Sequence, residues 1–219
     1  MNLHTKLILP VDYRNNNDNI IRRVSADMMQ WRFVKPHYLF TGRVGSGKTY
    51  LKEIIFDSLK KMLTAALKLS QKKERCFDFN NPAKMRGNAI LAANEYYIQG
   101  LIDCMNTYSA RDIYKHYLAN DFEILPVSRI FCLDDIGAEK ETAGSRDLII
   151  DMITTIYDRF RVGKNLVVII TTNLDGRAII NRYGSRTEDR IEEMCQPVME
   201  FNNHSFRRDK AKVIKREVK

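Results

Sequence analysis

The sequence is poor in the residues that build metal sites and disulfide frameworks. Its 219 residues include four cysteines and four histidines, which are scattered along the chain, and no two cysteines form a CxxC pair. Zinc sites and disulfide frameworks need closely spaced or paired ligands, so we expect neither. Unpaired, widely separated cysteines are typical of a reducing compartment, and we therefore predict a cytoplasmic protein.

Long hydrophobic stretches are also missing. No strictly apolar run exceeds five residues, as in 166–170, whereas a membrane-spanning helix needs about 20. The first residues lack the apolar core and the small-residue cleavage site of a secretory signal. The sequence therefore predicts neither a transmembrane segment nor secretion, and no membrane partner.

The charge of the chain is positive and uneven. It has 36 basic and 27 acidic residues, a net charge of +9. Residues 206–219 hold seven basic and two acidic residues, which is +5 of that excess. Such a local excess indicates either a polyanionic partner such as nucleic acid or a solvated tail that keeps the protein soluble, and composition does not separate the two.

Apolar periodicity predicts an α/β fold. Period-2 or fully apolar runs predict strands at 37–41, 95–99, 128–133 and 166–170. Apolar residues at i, i+3 and i+4 predict helices at 20–28, 51–63, 109–118 and 148–160. Alternating strands and helices favour a parallel sheet covered by helices on both sides. We divide the chain into an amino-terminal arm (1–17), one domain (18–203) and a basic tail (204–219).

A glycine-rich segment lies between the first predicted strand and a long predicted helix. It matches the P-loop pattern G-x-x-x-x-G-K-[ST] at every fixed position. In such a loop the backbone N–H groups and the helix N-terminus face a β-phosphate, while Lys48 reaches the β- and γ-phosphates and Thr49 ligates Mg²⁺. The predicted nucleotide-binding residues are Gly42, Arg43, Val44, Gly45, Ser46, Gly47, Lys48, Thr49 and Tyr50.

Two carboxylates close a later apolar strand. Asp134 and Asp135 follow Ile130-Phe131-Cys132-Leu133. Asp134 is placed to hold Mg²⁺ opposite Thr49, and Asp135 could orient or deprotonate the attacking water. The alternative is that both acids serve as turn or cap residues.

The segment Leu133-Asp134-Asp135-Ile136-Gly137-Ala138-Glu139, after such a P-loop, resembles the Walker B segment of bacterial helicase loaders of the DnaC/DnaI type and of IstB-like ATPases that assist transposition. Both belong to the AAA+ class. Three further segments resemble the family in order and spacing: Thr171-Thr172-Asn173 its sensor 1, residues 182–191 its arginine-finger segment, and residues 201–207 its closing stretch. The resemblance covers about residues 18–208.

The resemblance implies a P-loop NTPase fold of the AAA+ type, with a five-stranded parallel sheet flanked by helices. It implies that Asn173 contacts the γ-phosphate or the attacking water, and that Arg207 contacts the nucleotide. It also implies an arginine finger that acts on a neighbouring subunit, for which Arg190 is the first candidate and Arg186 the second. The rival interpretation pairs both arginines with acids on a solvated helix face. We expect the chain after Asn203 to be too short for a full helical lid domain.

Together these features predict an ATP- and Mg²⁺-dependent ATPase that self-assembles on ATP and acts on DNA. The resemblance implies that it loads a replicative helicase onto single-stranded DNA. An IstB-like helper of a transposase has the same motifs and is the nearest alternative. A P-loop kinase of small molecules and an ATP-gated switch with negligible turnover are more distant ones.

Overall fold

The fold is built on a central β-sheet. A computed structural model describes residues 17–29, 37–71, 95–103, 105–119, 130–140, 142–163, 167–196 and 198–202. The strands are β1 (His37–Gly42), β2 (Met105–Ser109), β3 (Ile130–Ile136), β4 (Val167–Thr172) and β5 (Met199–Phe201). The helices are α1 (Asp18–Met29), α2 (Lys48–Gln71), α3 (95–103), α4 (Ala110–Leu118), α5 (Ala143–Arg161), α6 (Gly176–Tyr183) and α7 (Ser185–Met194).

All five strands are parallel, in the order β2-β3-β4-β1-β5. This confirms the predicted α/β fold with a five-stranded parallel sheet flanked by helices. Because β4 lies between β3 and β1, the carboxyl ends of these three strands are neighbours. Residues that follow each strand at that edge can therefore meet, which is where open parallel sheets bind ligands.

The three central strands, β1, β3 and β4, are buried on both faces, because their side chains alternate between two apolar layers. One layer packs on α1, α2 and α3, and the other on α4, α5, α6 and α7. The first contains Tyr38, Phe40, Ile130, Cys132, Val167, Ile169, Met199 and Phe201 of the sheet. The second contains Leu39, Phe131, Leu133, Ile136, Val168 and Ile170.

The prediction of a strand at residues 95–99 is wrong. Residues 95–103 are helical, with Leu101 buried and Ile98 and Ile102 packed against the core at helical spacing. Tyr96, whose β-propensity favoured a strand, is 86% exposed. The strand is β2, ten residues later, an edge strand whose polar, half-buried residues give no apolar alternation.

The other predicted elements are present, with some shifted ends. Strand β3 covers Ile130–Ile136, so it continues beyond its predicted end through Asp134 and Asp135, while residues 128 and 129 lie outside the described residues. Helix α5 begins at Ala143, five residues before its first predicted apolar position, because Thr142 and Ser145 form a capping box there. Helix α6 and strand β5 also belong to the domain, but their positions were not predicted from the sequence.

Several predictions lie outside the described residues. These are the arm up to residue 16, the basic tail 204–219 with Arg207, and the absence of a lid after Asn203. The bounds of the arm, the domain and the tail therefore stay predictions. None of the helices in the described ranges has both the length and the apolar content that crossing a membrane requires.

Gly42, where β1 ends and the loop begins, is held against β5. Its φ of +128° is a backbone conformation that L side chains rarely adopt, and a Cβ built there would lie 2.3 Å from the carbonyl oxygen of Phe201. Strand β5 pairs with β1 at this point, with Gly42 opposite Phe201. The first glycine of the loop is therefore required by the sheet as well as by any ligand.

We predict that Gly42→Ala destabilises the protein even without nucleotide. The positive φ alone costs about 1–3 kcal/mol, and the contact with Phe201 adds to it. The control is Gly100→Ala in α3, where nothing lies within 4 Å of an added Cβ, and where alanine should stabilise the helix by about 0.5–1 kcal/mol. Urea unfolding measures both. Equal midpoints for Gly42→Ala and the wild type would contradict the prediction.

Candidate nucleotide-binding site

The predicted P-loop joins β1 to α2 at the carboxyl edge of the sheet. Gly42, Gly45 and Gly47 all have positive φ, which gives the loop its tight curvature. Helix α2 begins at Lys48, so its N-terminus opens directly from the loop. The structure thus has the strand, loop and helix that the sequence predicted, with Arg43, Val44 and Tyr50 exposed around it.

Lys48 is buried and its ammonium group is held by the loop and by β4. Its Nζ donates to the carbonyl oxygens of Gly42 and Arg43 at 2.7 and 3.0 Å, and to Oδ1 of Asn173 at 2.7 Å. Asn173 follows β4, 125 residues away in sequence. The structure therefore brings the predicted P-loop lysine and the predicted sensor 1 residue into direct contact.

Asn173 also contacts the second acid of β3. Its Nδ2 donates to Oδ1 of Asp135 at 2.8 Å. The amide thus lies between a cation and a carboxylate, with its oxygen on Lys48 and its nitrogen on Asp135. A neutral amide can hold both without repelling phosphate, which suits a side chain beside a γ-phosphate.

Asp135 has an irregular backbone. Its φ of 61° is the only positive value at a non-glycine residue in the described ranges. The register between β3 and β4 shifts between Leu133 and Ile136, as at a β-bulge. The N–H of Asp135 donates to Oγ1 of Thr171 at 2.8 Å, which holds the unusual conformation in place. Such local irregularities are concentrated at functional sites.

Asp134 is almost buried, and polar groups face both of its carboxylate oxygens. Thr171 donates to Oδ1 at 2.7 Å, and the Thr49 hydroxyl lies 3.4 Å from the same oxygen. Nζ of Lys52 lies 3.1 Å from Oδ2. Burial, and then the charge of Asp134, raises the pKa of the Cys132 thiol well above its ordinary value, so this thiol stays neutral.

The residues at this edge fit a nucleotide phosphate. Ser46 in the loop is fully buried, and its hydroxyl has no hydrogen-bond partner within the described part of the chain. Buried hydroxyls are normally hydrogen-bonded, so an unpaired one in a P-loop indicates that a ligand supplies the partner. The loop backbone and the α2 N-terminus provide further donors for the same anion.

The residues also fit Mg²⁺ bound together with a nucleotide. The oxygens of Thr49 and Asp134 lie side by side, and hard oxygen ligands are what Mg²⁺ prefers. Among the residues that the structure describes, no three of His, Cys, Asp and Glu form a metal-binding group. A Mg²⁺ ion here would therefore take its remaining ligands from phosphate and water, as is usual for this ion.

No role was predicted for Glu139, although it lies in the segment 133–139 that resembles a Walker B segment. The residue is buried and accepts from the Gly137 N–H at 2.8 Å. Arg182 and Tyr183 of α6 both donate to its Oε1, with Arg182 Nε at 2.8 Å. Arg182 also donates to the Glu139 carbonyl oxygen at 2.9 Å. The network joins the end of β3 to α6.

The network fixes the charge states of its members. Burial, and then the hydrogen bond to Glu139, raises the pKa of the Tyr183 hydroxyl, so it stays protonated and donates. Burial alone would lower the pKa of Arg182, but the Glu139 carboxylate outweighs it and raises that pKa. Arg182, the first residue of the predicted finger segment, is thus held within its own subunit.

The two predicted finger arginines lie in different surroundings on α7. Arg190 is half-buried: its Nη1 donates to Oγ1 of Thr154 at 2.5 Å, and its guanidinium lies 5.4 Å from the centre of the Tyr157 ring. Both partners belong to α5 of the same chain. Arg186 is exposed, and no hydrogen bond joins it to another described residue. The rival interpretation pairs both arginines with acids, and among the described residues no ion pair joins Arg186 or Arg190 to an acid.

Three residues of the site were missed by sequence reasoning: Lys52, Thr171 and Glu139. Lys52 follows Lys48 by one helical turn and so lies on the same face of α2, a signal that the spacing contained. Thr171 was quoted with Asn173 but had no stated role. Glu139 gave no signal of its own, because only its contact with α6, about 43 residues away, explains it.

Comparisons with known proteins support the fold. The crystal structure of the DnaC helicase loader aligns with 91% of this chain and 95% of its own, at 18% identity and a TM-score of 0.54. The structure of a DNA replication initiation factor aligns with the whole chain but with 55% of its own length, at 13% identity and a TM-score of 0.50. No family model and no curated protein matches the sequence.

At these identities the likeness is one of fold. The chain shares its fold, an α/β domain with a five-stranded parallel sheet, with the DnaC helicase loader. The resemblance drawn from the motifs is thereby confirmed at the level of the fold.

We predict that Glu139→Gln destabilises the protein by about 1.5–3 kcal/mol, the contribution of a hydrogen bond to a charged group, because it leaves the half-buried Arg182 guanidinium without its counter-charge. Only 1% of the Glu139 side chain and 17% of the Arg182 side chain are exposed. The matched control is Glu193→Gln, which breaks a solvent-exposed contact with Arg161 and should change stability little. Chemical unfolding compares the two variants. Similar small losses in both would show that the Glu139 network contributes little.

Proposed function

We propose that this protein is a Mg²⁺-dependent AAA+ ATPase that acts on a protein–DNA complex, most closely as a DnaC-like loader of a replicative helicase. The observation that carries the ATPase part is the contact chain from Lys48 through Asn173 to Asp135. It joins a phosphate-binding cation, a neutral amide and a carboxylate at the mouth of one loop.

Each side chain has a defined task in this proposal. Lys48 binds the β- and γ-phosphates and spreads the negative charge that develops on transfer. Asp135 orients the attacking water and accepts its proton, while Asn173 keeps Asp135 and Lys48 from pairing directly. Thr49 and Asp134 would hold Mg²⁺, which neutralises phosphate charge when it is bound.

A neighbouring subunit would complete the site. The proposal assigns the arginine finger to α7, with Arg190 as first and Arg186 as second candidate. Arg190 would leave Thr154 and Tyr157 to reach a neighbour's γ-phosphate, whereas the exposed Arg186 needs no such release. ATP-dependent assembly of copies of this chain is therefore part of the proposal.

The client is proposed from the likeness to the DnaC helicase loader. The net charge of +9, concentrated towards the carboxyl end of the sequence, suits single-stranded DNA as a further partner. An IstB-like helper of a transposase has the same catalytic parts and differs only in its client. We keep it as the second candidate because the motifs resemble both. A small-molecule kinase would not need the finger segment on α7.

The proposed function is tested by ATP turnover per subunit against protein concentration, with and without single-stranded DNA. A rate that rises with both supports sites completed by neighbours and an action on DNA. A flat rate that ignores DNA would contradict the loader and the transposition helper alike. Addition of a purified replicative helicase or of a transposase then separates the two clients by which one changes the rate.

For the arginine finger, we predict that Arg190→Ala lowers ATP hydrolysis by about 10³-fold while ATP affinity changes little. The control Thr154→Val removes the partner that holds Arg190 within its own chain but keeps the finger, so hydrolysis should stay near the wild-type rate. The same measurement on Arg186→Ala decides between the two candidates.

Subunit mixing tests whether the arginine acts in trans. Arg190→Ala and Asp135→Asn subunits should each be nearly inactive alone. When the two variants are mixed, the intact Asp135 of an Arg190→Ala subunit can meet the intact Arg190 of a neighbouring Asp135→Asn subunit. Activity should therefore return. Failure of the mixture to recover activity, or a parallel loss of ATP binding and hydrolysis in Arg190→Ala, would rule out the trans role.

A further inference from the structure

Lys52 places a second buried cation beside the proposed metal site. It lies on α2 one turn after Lys48, and its Nζ is 3.1 Å from Oδ2 of Asp134. Only 7% of the Lys52 side chain and 12% of the Asp134 side chain are exposed. The P-loop pattern ends at Thr49 and does not require a lysine at this position. The pair therefore calls for an explanation of its own.

Lys52 contacts the same carboxylate that a metal would use. Oδ1 of Asp134 accepts from Thr171 and faces the Thr49 hydroxyl, which leaves Oδ2 as the oxygen of the carboxylate that faces Lys52. A divalent cation that binds Asp134 must approach this ammonium group or displace it. In a site with little solvent, like charges at such distances repel strongly.

We propose that Lys52 competes with the divalent cation for Asp134 and so sets the metal affinity of the site. The proposal rests on the function proposed above, in which Asp134 is a metal ligand. Because Lys52 already neutralises the carboxylate, the protein alone should hold a free divalent ion poorly. The metal should bind together with the nucleotide, whose phosphates supply the charge and the ligands that Asp134 alone does not.

The alternative is that Lys52 only compensates a buried charge. Removal of one partner of a buried pair destabilises a protein in either case, so stability alone does not separate the two. The affinity of the site for a metal ion does separate the two interpretations. If Lys52 competes with the metal, its removal leaves a buried carboxylate without a counter-charge, and that carboxylate should bind a cation more tightly.

The test measures Mn²⁺ binding to the full-length protein by the loss of the free-ion EPR signal, with and without a non-hydrolysable ATP analogue. Lys52→Met should bind Mn²⁺ at least about tenfold more tightly than the wild type, since the repulsion is between charges in a poorly solvated site. Lys52→Arg keeps the charge and should stay near the wild type. The control Lys61→Met, on the exposed part of α2 beside Asp57, should change nothing.

A second measurement follows thermal unfolding in chelator and then in Mn²⁺. Lys52→Met should unfold at a lower temperature in chelator and recover more on addition of Mn²⁺ than the wild type does, because tighter binding stabilises more. If Lys52→Met does not fold, Lys52→Gln removes the charge with less loss of hydrogen bonding and is measured in its place.

Asp134→Asn separates failure of this inference from failure of the proposed function. If Asp134→Asn weakens Mn²⁺ binding but Lys52→Met leaves it unchanged or weaker, the metal site stands and competition by Lys52 is overturned. If Asp134→Asn has no effect in the presence of the ATP analogue, the metal site itself is wrong. If Lys52 competes with the metal, the double variant with Lys52→Met and Asp134→Asn should lose the tighter Mn²⁺ binding that Lys52→Met shows alone.

Discussion

The pairing of buried charges at the carboxyl edge of the sheet is the constraint on which the rest of the site depends. Lys48, Lys52, Asp134 and Glu139 are all buried there, and an unpaired buried charge costs far more than a surface one. Each is matched by an opposite charge or by hydrogen bonds from a neighbouring element. The partners come from α2, β3, β4 and α6, so the charges can be satisfied only when these four elements meet correctly.

The bulge in β3 follows from the same constraint. Successive residues of a regular strand point to opposite faces of a sheet, so two adjacent acids would not both face the loop. The positive φ of Asp135 and the register shift after Leu133 change this. Asp134 meets Lys52 and Asp135 meets Asn173, while one hydroxyl, that of Thr171, contacts both residues. Local backbone strain thereby gives two carboxylates different partners.

Sequence reasoning reached the parts of this site that are local in the chain. The loop, its strand and helix, and the acids after an apolar run follow from spacing and periodicity within about 15 residues. It failed at α3, where Tyr96 suggested a strand and only packing against the core decides for a helix. It also missed the pairs Lys52–Asp134 and Glu139–Arg182. Those pairs join residues far apart in sequence, and no local pattern encodes the choice of partner.

The Glu139 network adds a mechanical consequence to the electrostatic one. The short segment from Asp134 to Glu139 carries the site acids at one end and holds α6 at the other through Arg182 and Tyr183. Helix α7, with both candidate finger arginines, begins two residues after Tyr183. Glu139 therefore joins the segment that carries the site acids to the helix that leads into α7. The groups proposed to act on the chain's own nucleotide and those proposed to act on a neighbour's are thus joined by the buried Glu139 carboxylate as well as by the short chain segment from Asn173 into α6.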